Sequence, residues 1–147
     1  MKSKVVVVIM TLGAVVVCLN IRPTLAEATK SGPGPSSVQR GQKIYEQTCL
    51  TCHQADAGGV PNMTPPLQKS PYVQGPPVNL IGIVLNGKTD GVEIDGETYT
   101  SPMPSFSAVL KDQDIADVLT YLRSHFGNKA GPIKVTQVSQ IRNGVKK

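Results

Sequence analysis

The stretch Cys49-Leu50-Thr51-Cys52-His53 decides how the rest of the chain is read. It has the form C-x-x-C-H, the signature of c-type haem attachment. Two thiols one helical turn apart can add across the two vinyl groups of a single haem. The adjacent His53 then faces the iron and can coordinate it axially. Two other chemistries use similar residues. A thioredoxin-like redox pair also reads C-x-x-C, but it needs a parallel sheet, and this chain has no βαβ pattern. A zinc site would recruit Cys49, Cys52, His53 or His125. Neighbouring Cys52 and His53 do not easily reach one tetrahedral ion together, and only one distant His remains.

Upstream of the motif, Ser36 to Gln39 has the S-x-x-Q form of a capping box. It predicts a helix that carries Ile44 and Tyr45 toward Cys49. Downstream, residues 54–77 are rich in turn formers and hold six prolines. A structureless loop of about 20 residues is unusual in a compact domain. It becomes reasonable if it wraps something other than protein. Val78 to Asn86 predicts a short helix stopped at Gly87. Val92 to Tyr99 alternates around Asp95-Gly96, a hairpin signal. Ser101-Pro102-Met103-Pro104 is irregular, with a short helical turn expected from Ser105.

The strongest periodic element is Asp112 to Phe126, with apolar residues at Ile115, Val118, Leu119, Leu122 and Phe126. That is one stripe of a helix. Asp112 and Asp114 favour its positive N-terminus, Leu110 is placed to staple onto Ile115, and Gly127-Asn128 ends it. From Lys129 the pattern weakens, with one turn expected near Val135 to Ile141. The reading is an all-α fold: a few short helices wrapped around one covalent haem, joined by long Pro/Gly loops.

The second axial position has three candidates in the exported chain: Met63, Met103 and His125. Met63 lies in the wrapping loop close after His53, and so on the same side of the haem. His125 falls off the apolar stripe. Met103 lies 50 residues beyond His53, where the chain has had room to travel around the ring, and prolines on both sides limit its backbone. An isolated Met is more often core filler than ligand; here the context favours Met103.

The N-terminus reads as an export signal. Lys2 and Lys4 precede an almost continuously apolar run, Val5 to Leu19, and Thr24-Leu25-Ala26 supplies small residues for cleavage. The run is shorter than the roughly 20 residues of a spanning helix. Residues 1–26 are expected to be removed, with Ala26-Glu27-Ala28 an alternative cut. The competing reading is an uncleaved anchor extending to Ile21. A lipoprotein cut before Cys18 is disfavoured by Val17. Residues 27–36 read as a flexible linker, 37–128 as the folded domain and 129–147 as a C-terminal tail.

Cleavage removes three of the 15 basic residues and leaves 12 against 10 acidic ones. Such a balance gives no concentrated basic face for nucleic acid. The exported chain keeps only Cys49 and Cys52. An oxidising compartment would join them unless another chemistry claims them. With aromatic content of 4% and no Trp, a chain this small builds a meagre core unaided and gains much from an apolar cofactor.

Several runs together resemble the class I cytochromes c. Gly41-x-x-x-Tyr45-x-x-x-Cys49-x-x-Cys52-His53 is similar to their opening, Pro65-Pro66-Leu67 to the segment beside the proximal face, and Tyr99-x-x-x-Met103-Pro104-x-Phe106 to their distal-ligand loop. Asp114 to Asn128 resembles their closing helix. The resemblance spans residues 37–128. It implies thioethers at Cys49 and Cys52, a proximal His53 and a distal Met103. It also implies a Pro65 carbonyl accepting the His53 ring N–H, haem packing by Leu67 and Tyr99, and Gly41 and Tyr45 meeting the closing helix near Leu119 and Leu122.

The finer resemblance is to cytochromes that serve bacterial periplasmic dehydrogenases. It implies a monohaem electron carrier, not itself an enzyme, in the periplasm or otherwise exported. Its redox partners would be a dehydrogenase, an oxidase or another cytochrome. It would touch a membrane only if the N-terminal segment stayed uncleaved. The alternative is a haem-based sensor or small-ligand binder with a labile distal Met. Intact mass of the exported protein should equal a chain beginning at Glu27 plus one haem; a membrane-bound product that retains Met1 would favour the anchor.

Overall fold

Residues 36–144 are described by a computed structural model; the expected signal, nearly all of the linker and residues 145–147 lie outside the described residues. Ser36 behaves as its pattern requires. Its Oγ accepts from the Gln39 N–H at 3.3 Å, and its own N–H donates to Gln39 Oε1 at 2.8 Å. This reciprocal cap starts α1 (Ser37–Ile44). The rod then widens into a π turn, Tyr45–Cys49, before tightening into α2 (Leu50–His53). Such π segments gather at functional sites, and this one ends on the first motif cysteine.

Two helices follow that open on proline, α3 (Pro71–Gln74) and α4 (Pro77–Asn86). At the first helical position the missing N–H costs nothing and the fixed φ suits the helix. β1 (Val92–Ile94) and β2 (Glu97–Tyr99) pair antiparallel, with Val92 opposite Tyr99. Asp95 and Gly96 have φ of 52° and 81°, both left-handed as a type I′ turn demands. α5 (Asp112–Ser124) and α6 (Val135–Gly144) complete a mostly helical fold. The expected all-α class holds, with this hairpin as the only sheet among the described residues.

α5 is the central element. The sequence stripe predicts one buried face, yet Ile115 through Arg123 are all buried. α1 crosses on one side, α6 covers another, and Val118, Leu119 and Leu122 face a cavity. The crossing with α1 is very close. A Cβ on Gly41 would overlap the Asp117 carbonyl oxygen and come within 2.8 Å of the Tyr121 Cβ. Only glycine permits that approach. α6 carries the packed body past Asn128: Ile133 and Val138 are buried in the core, and the helix lies against α4 and α5.

Asp117 fixes the crossing electrostatically. It is 1% exposed and accepts from Arg40 Nη2 at 2.9 Å, from Gln113 Nε2 at 2.9 Å and from the Ser37 hydroxyl. Burial alone would raise its pKa; the hydrogen bonds from Arg40, Ser37 and Gln113 outweigh that and hold it below the usual carboxylate value.

A group depressed on folding contributes stability above its unfolded pKa, about 4, and loses it as pH falls through the folded value. Asp117→Asn should therefore cost on the order of 2 kcal/mol near neutral pH, the scale of hydrogen bonds to a charged group, with the half-exposed Arg40 keeping it modest. Denaturant melts at several pH values should show the gap to wild type narrowing below about pH 4; a gap that widens on acidification would contradict this role.

Candidate haem site

The motif sits where the helical rod ends. Cys49 and Cys52 are free thiols, the first half-buried and the second exposed. The Thr48 hydroxyl donates to the Ile44 carbonyl at 2.7 Å and lies 3.4 Å from Cys49 Sγ. Burial pushes the Cys49 thiol pKa up, partly offset by Thr48. His53 is the last residue of α2 and 8% exposed. Its Nδ1 lies 3.1 Å from the Pro65 carbonyl oxygen. A carbonyl only accepts, so Nδ1 carries the proton and Nε2 keeps its lone pair. Burial lowers the His53 pKa more than the Pro65 contact raises it. The imidazole is thus neutral at ordinary pH, the form that binds metals.

Pro65 reaches His53 because the chain folds back sharply. Gln54, Ala57 and Asn62 have φ of 66°, 61° and 58°, left-handed values sparsely used by side-chain-bearing residues. The Tyr45 hydroxyl donates to the Gln54 carbonyl at 2.6 Å and holds the first of these turns. A tight bridge follows, Val60 N–H to Thr64 O at 2.8 Å and the reverse at 2.9 Å. A Cβ on Gly59 would overlap the Thr64 carbonyl oxygen, so the loop closes only with glycine there. Beyond it, buried Asn128 donates to the carbonyls of Leu67 and Leu122, both at 2.9 Å, and accepts from the Ser70 N–H at 3.2 Å. That side chain ties the strap Leu67–Ser70 to the end of α5.

These segments surround one cavity of ≈ 200 Å³. Cys49, Cys52, His53, Pro65 and Leu67 line it from the motif and the loop that follows, Tyr99 from β2 and Met103 from the segment before α5. Tyr99 is buried and its hydroxyl donates to Glu97 at 2.9 Å. Met63 is 54% exposed and is not part of the lining. His125 also stands outside it, its ring 4.3 Å from that of Tyr121 and its Nδ1 3.0 Å from the Tyr121 carbonyl. Of the three candidates for the second axial position, only Met103 borders the cavity.

The sequence reading passed over Asn128 and Arg123. Arg123 is buried and donates to the carbonyls of Gly131 (2.7 Å), Val73 (2.7 Å) and Gly75 (2.9 Å). Arg123 falls off the apolar stripe, and Asn128 reads only as part of the helix stop. The one available signal was the proline-rich stretch 65–77, whose carbonyls need donors from elsewhere in the chain.

The residues fit a covalently held haem. Two free thiols stand at the motif spacing, a neutral imidazole offers Nε2, and the lining is overwhelmingly apolar. Ser70, on the cavity wall, has a buried hydroxyl with no partner, which a polar group on a ligand would satisfy. Among the described residues no group of three or more His, Cys, Asp or Glu is placed to hold a metal ion, and the only sheet is a two-stranded antiparallel hairpin.

The sequence profile of the family described as Cytochrome c matches residues 38–126. The chain belongs to the cytochrome c family. Cytochrome c-552 of Thermus thermophilus is 37% identical over 92 residues, covering 60% of this chain and 69% of that protein. The protein named alcohol dehydrogenase (quinone), cytochrome c subunit, of Gluconacetobacter polyoxogenes is 35% identical over 125 residues, covering 82% of this chain but 26% of that one. The chain thus spans about a quarter of the length of that relative. Among solved structures, the c-type cytochrome XoxG from Methylobacterium extorquens AM1 is 18% identical with a TM-score of 0.46, covering 74% of this chain and 66% of that one.

As a cytochrome c, the chain carries electrons on a covalently bound haem c, and Cys49, Cys52 and His53 fit the attachment motif. The protein from an export-competent host should keep haem-linked peroxidase staining after denaturing electrophoresis, and Cys49→Ser combined with Cys52→Ser should abolish it. Haem that extracts freely from the wild type into acidified butanone would refute covalent attachment.

Proposed function

We propose that His53 and Met103 occupy the two axial positions of the haem iron, and that the chain relays single electrons from an exported dehydrogenase to a downstream acceptor. The observation that carries the axial assignment is selective lining: Met103 borders the cavity with His53, while Met63 and His125 do not. A haem bound there supplies one-electron exchange between ferric and ferrous iron. Outer-sphere transfer needs an iron whose surroundings barely change between those states.

The chain's residues are suited to that. The Pro65 carbonyl fixes the His53 tautomer and ring orientation, as second partners of metal-bound histidines do. Apolar walls from α4 and α5 exclude water and disfavour the more highly charged ferric state. A thioether from Met103 pushes the potential the same way. A gas sensor or peroxidase needs an open iron position, which two side-chain ligands remove. Leu67 and Tyr99 wall the pocket without reactive chemistry.

The partner is inferred from the relative named as a quinone alcohol dehydrogenase subunit and from the resemblance of the Tyr99–Phe106 loop. An exported location follows from the charged and apolar start of the chain. Among the described residues no helix is long and apolar enough to cross a membrane.

Met103→Ala should open the iron to water or added imidazole, remove the long-wavelength iron–methionine band of the oxidised protein and lower the reduction potential. Axial ligands tune haem over roughly 0.8 V, so a shift of a sizeable fraction of that range is expected. Met63→Ala and His125→Ala should leave band and potential near wild type. Loss of the band in either control, with retention in Met103→Ala, would reassign the ligand.

A further inference from the structure

The Met103 side chain offers no strong hydrogen-bonding handle, because a thioether sulfur is only a weak acceptor. Its backbone is held instead. The Met103 N–H donates to the Lys88 carbonyl at 2.8 Å, and the Lys88 N–H donates to the Met103 carbonyl at 2.9 Å. The contact continues toward α4: the Phe106 N–H donates to the Val84 carbonyl at 3.0 Å, and the Ser105 hydroxyl donates to the Leu85 carbonyl. The segment Met103–Phe106 is laced to the last turn of α4 and to Lys88 just beyond it.

Gly87 stands in the middle of that seam. A Cβ placed on it would lie 2.5 Å from the Met103 carbonyl oxygen, 2.8 Å from the Ser105 nitrogen and 2.9 Å from the Pro104 carbonyl carbon. All three are backbone atoms, so no side chain can swing away to make room. Its φ and ψ, 74° and −176°, lie in a region essentially closed to every residue but glycine. Ending a helix does not require this, since an ordinary left-handed cap also accepts asparagine. The conformation and the clearance both serve the segment that bears Met103.

We propose that Gly87, acting with the two-way Lys88–Met103 backbone bridge, is the positioning residue that sets the Met103 sulfur in the cavity. Any side chain at position 87 pushes the Met103 carbonyl outward and draws its thioether away. This inference rests on the axial role of Met103, so its test includes that variant. Holoprotein is prepared as wild type, Gly87→Ala, Met103→Ala and Gly82→Ala. Gly82 lies in the same helix, where an added Cβ meets nothing within 4 Å.

The readouts are the iron–methionine band, the reduction potential and imidazole affinity. Gly82→Ala should match wild type. Gly87→Ala should keep its covalent haem and helical circular dichroism, yet show a weakened band, a lowered potential and imidazole binding roughly tenfold or more tighter, because the competing thioether is populated less in its bound position. A Gly87→Ala protein with the wild-type band and imidazole affinity, while Met103→Ala has lost the band, overturns the positioning role alone. A band that survives Met103→Ala overturns the axial assignment.

Should Gly87→Ala not accumulate, hydrogen exchange on the wild-type holoprotein decides. The amides of Lys88 and Met103 should be protected as strongly as that of Gly87, which donates to Ile83 at 2.8 Å. Exchange of the Met103 amide at open-loop rates would overturn the clamp.

Discussion

The near-contact of two helix backbones at Gly41 is the constraint on which the rest of the domain depends. With no side chain in the way, α1 rests on the Asp117 carbonyl of α5, and the buried Asp117 carboxylate holds it there through Ser37 and Arg40. One turn further along the same rod, Tyr45 meets Tyr121 and Phe126, with ring centroids 5.8 and 5.5 Å away. Its hydroxyl then pins the Gln54 carbonyl. The crossing therefore fixes both ends of the short stretch between Tyr45 and Gln54. The motif cysteines and His53 lie inside that stretch, so their position relative to α5 is settled by helix packing before any cofactor contact is counted.

The proline-rich segment 65–77 is held in place largely by side-chain donors, and the reason is donor accounting. Five of the residues between 65 and 77 are prolines, which contribute carbonyls but no N–H. The carbonyls of such a segment must find donors elsewhere. Side chains supply them: His53 for Pro65, Asn128 for Leu67, Arg123 for Val73 and Gly75. Three of these four contacts come from α5 or its immediate end. Arg123 has no carboxylate beside it among the described residues, and a buried guanidinium so placed is normally costly. Here its charge is spread over backbone carbonyls that would otherwise lack partners, and the arrangement lowers the cost of both.

This explains what could be read from the sequence and what could not. The capping box at Ser36, the Asp95-Gly96 turn and the end of α4 at Gly87 are set by residues within four positions of each other, and each formed where local chemistry placed it. Cys49, Cys52 and His53 were legible for a similar reason, since C-x-x-C-H sets three chemical groups in five adjacent letters, whereas Pro65, Leu67 and Tyr99 were reached only through the family resemblance. Asp117, Arg123 and Asn128 were not legible. A periodicity argument assigns polar residues to solvent, and their burial depends on carbonyls, a hydroxyl and a cation up to 80 positions away. The packing of α6 was hidden differently. It buries only Val138 completely, so its apolar signal is too sparse to be seen without the groove between α4 and α5 that receives it.

His53 and Met103 meet one positioning problem by different means. His53 has a ring nitrogen to spare, so a single carbonyl can orient it directly. The thioether of Met103 has no such handle, and the orientation must be imposed through its backbone by the bridge to Lys88. Yet both arrangements need a glycine behind them. Gly59 lets Thr64 and Pro65 close over the His53 side, and Gly87 does the same beneath Met103. Each has positive φ, 70° and 74° respectively, and each would drive a Cβ into the backbone of the segment carrying the contact. Side chains tolerate small displacements by changing rotamer; backbone pressed on backbone does not. Closely packed main chain is thus the stiffest support available to a chain so poor in large apolar residues, and it stands behind both of these residues.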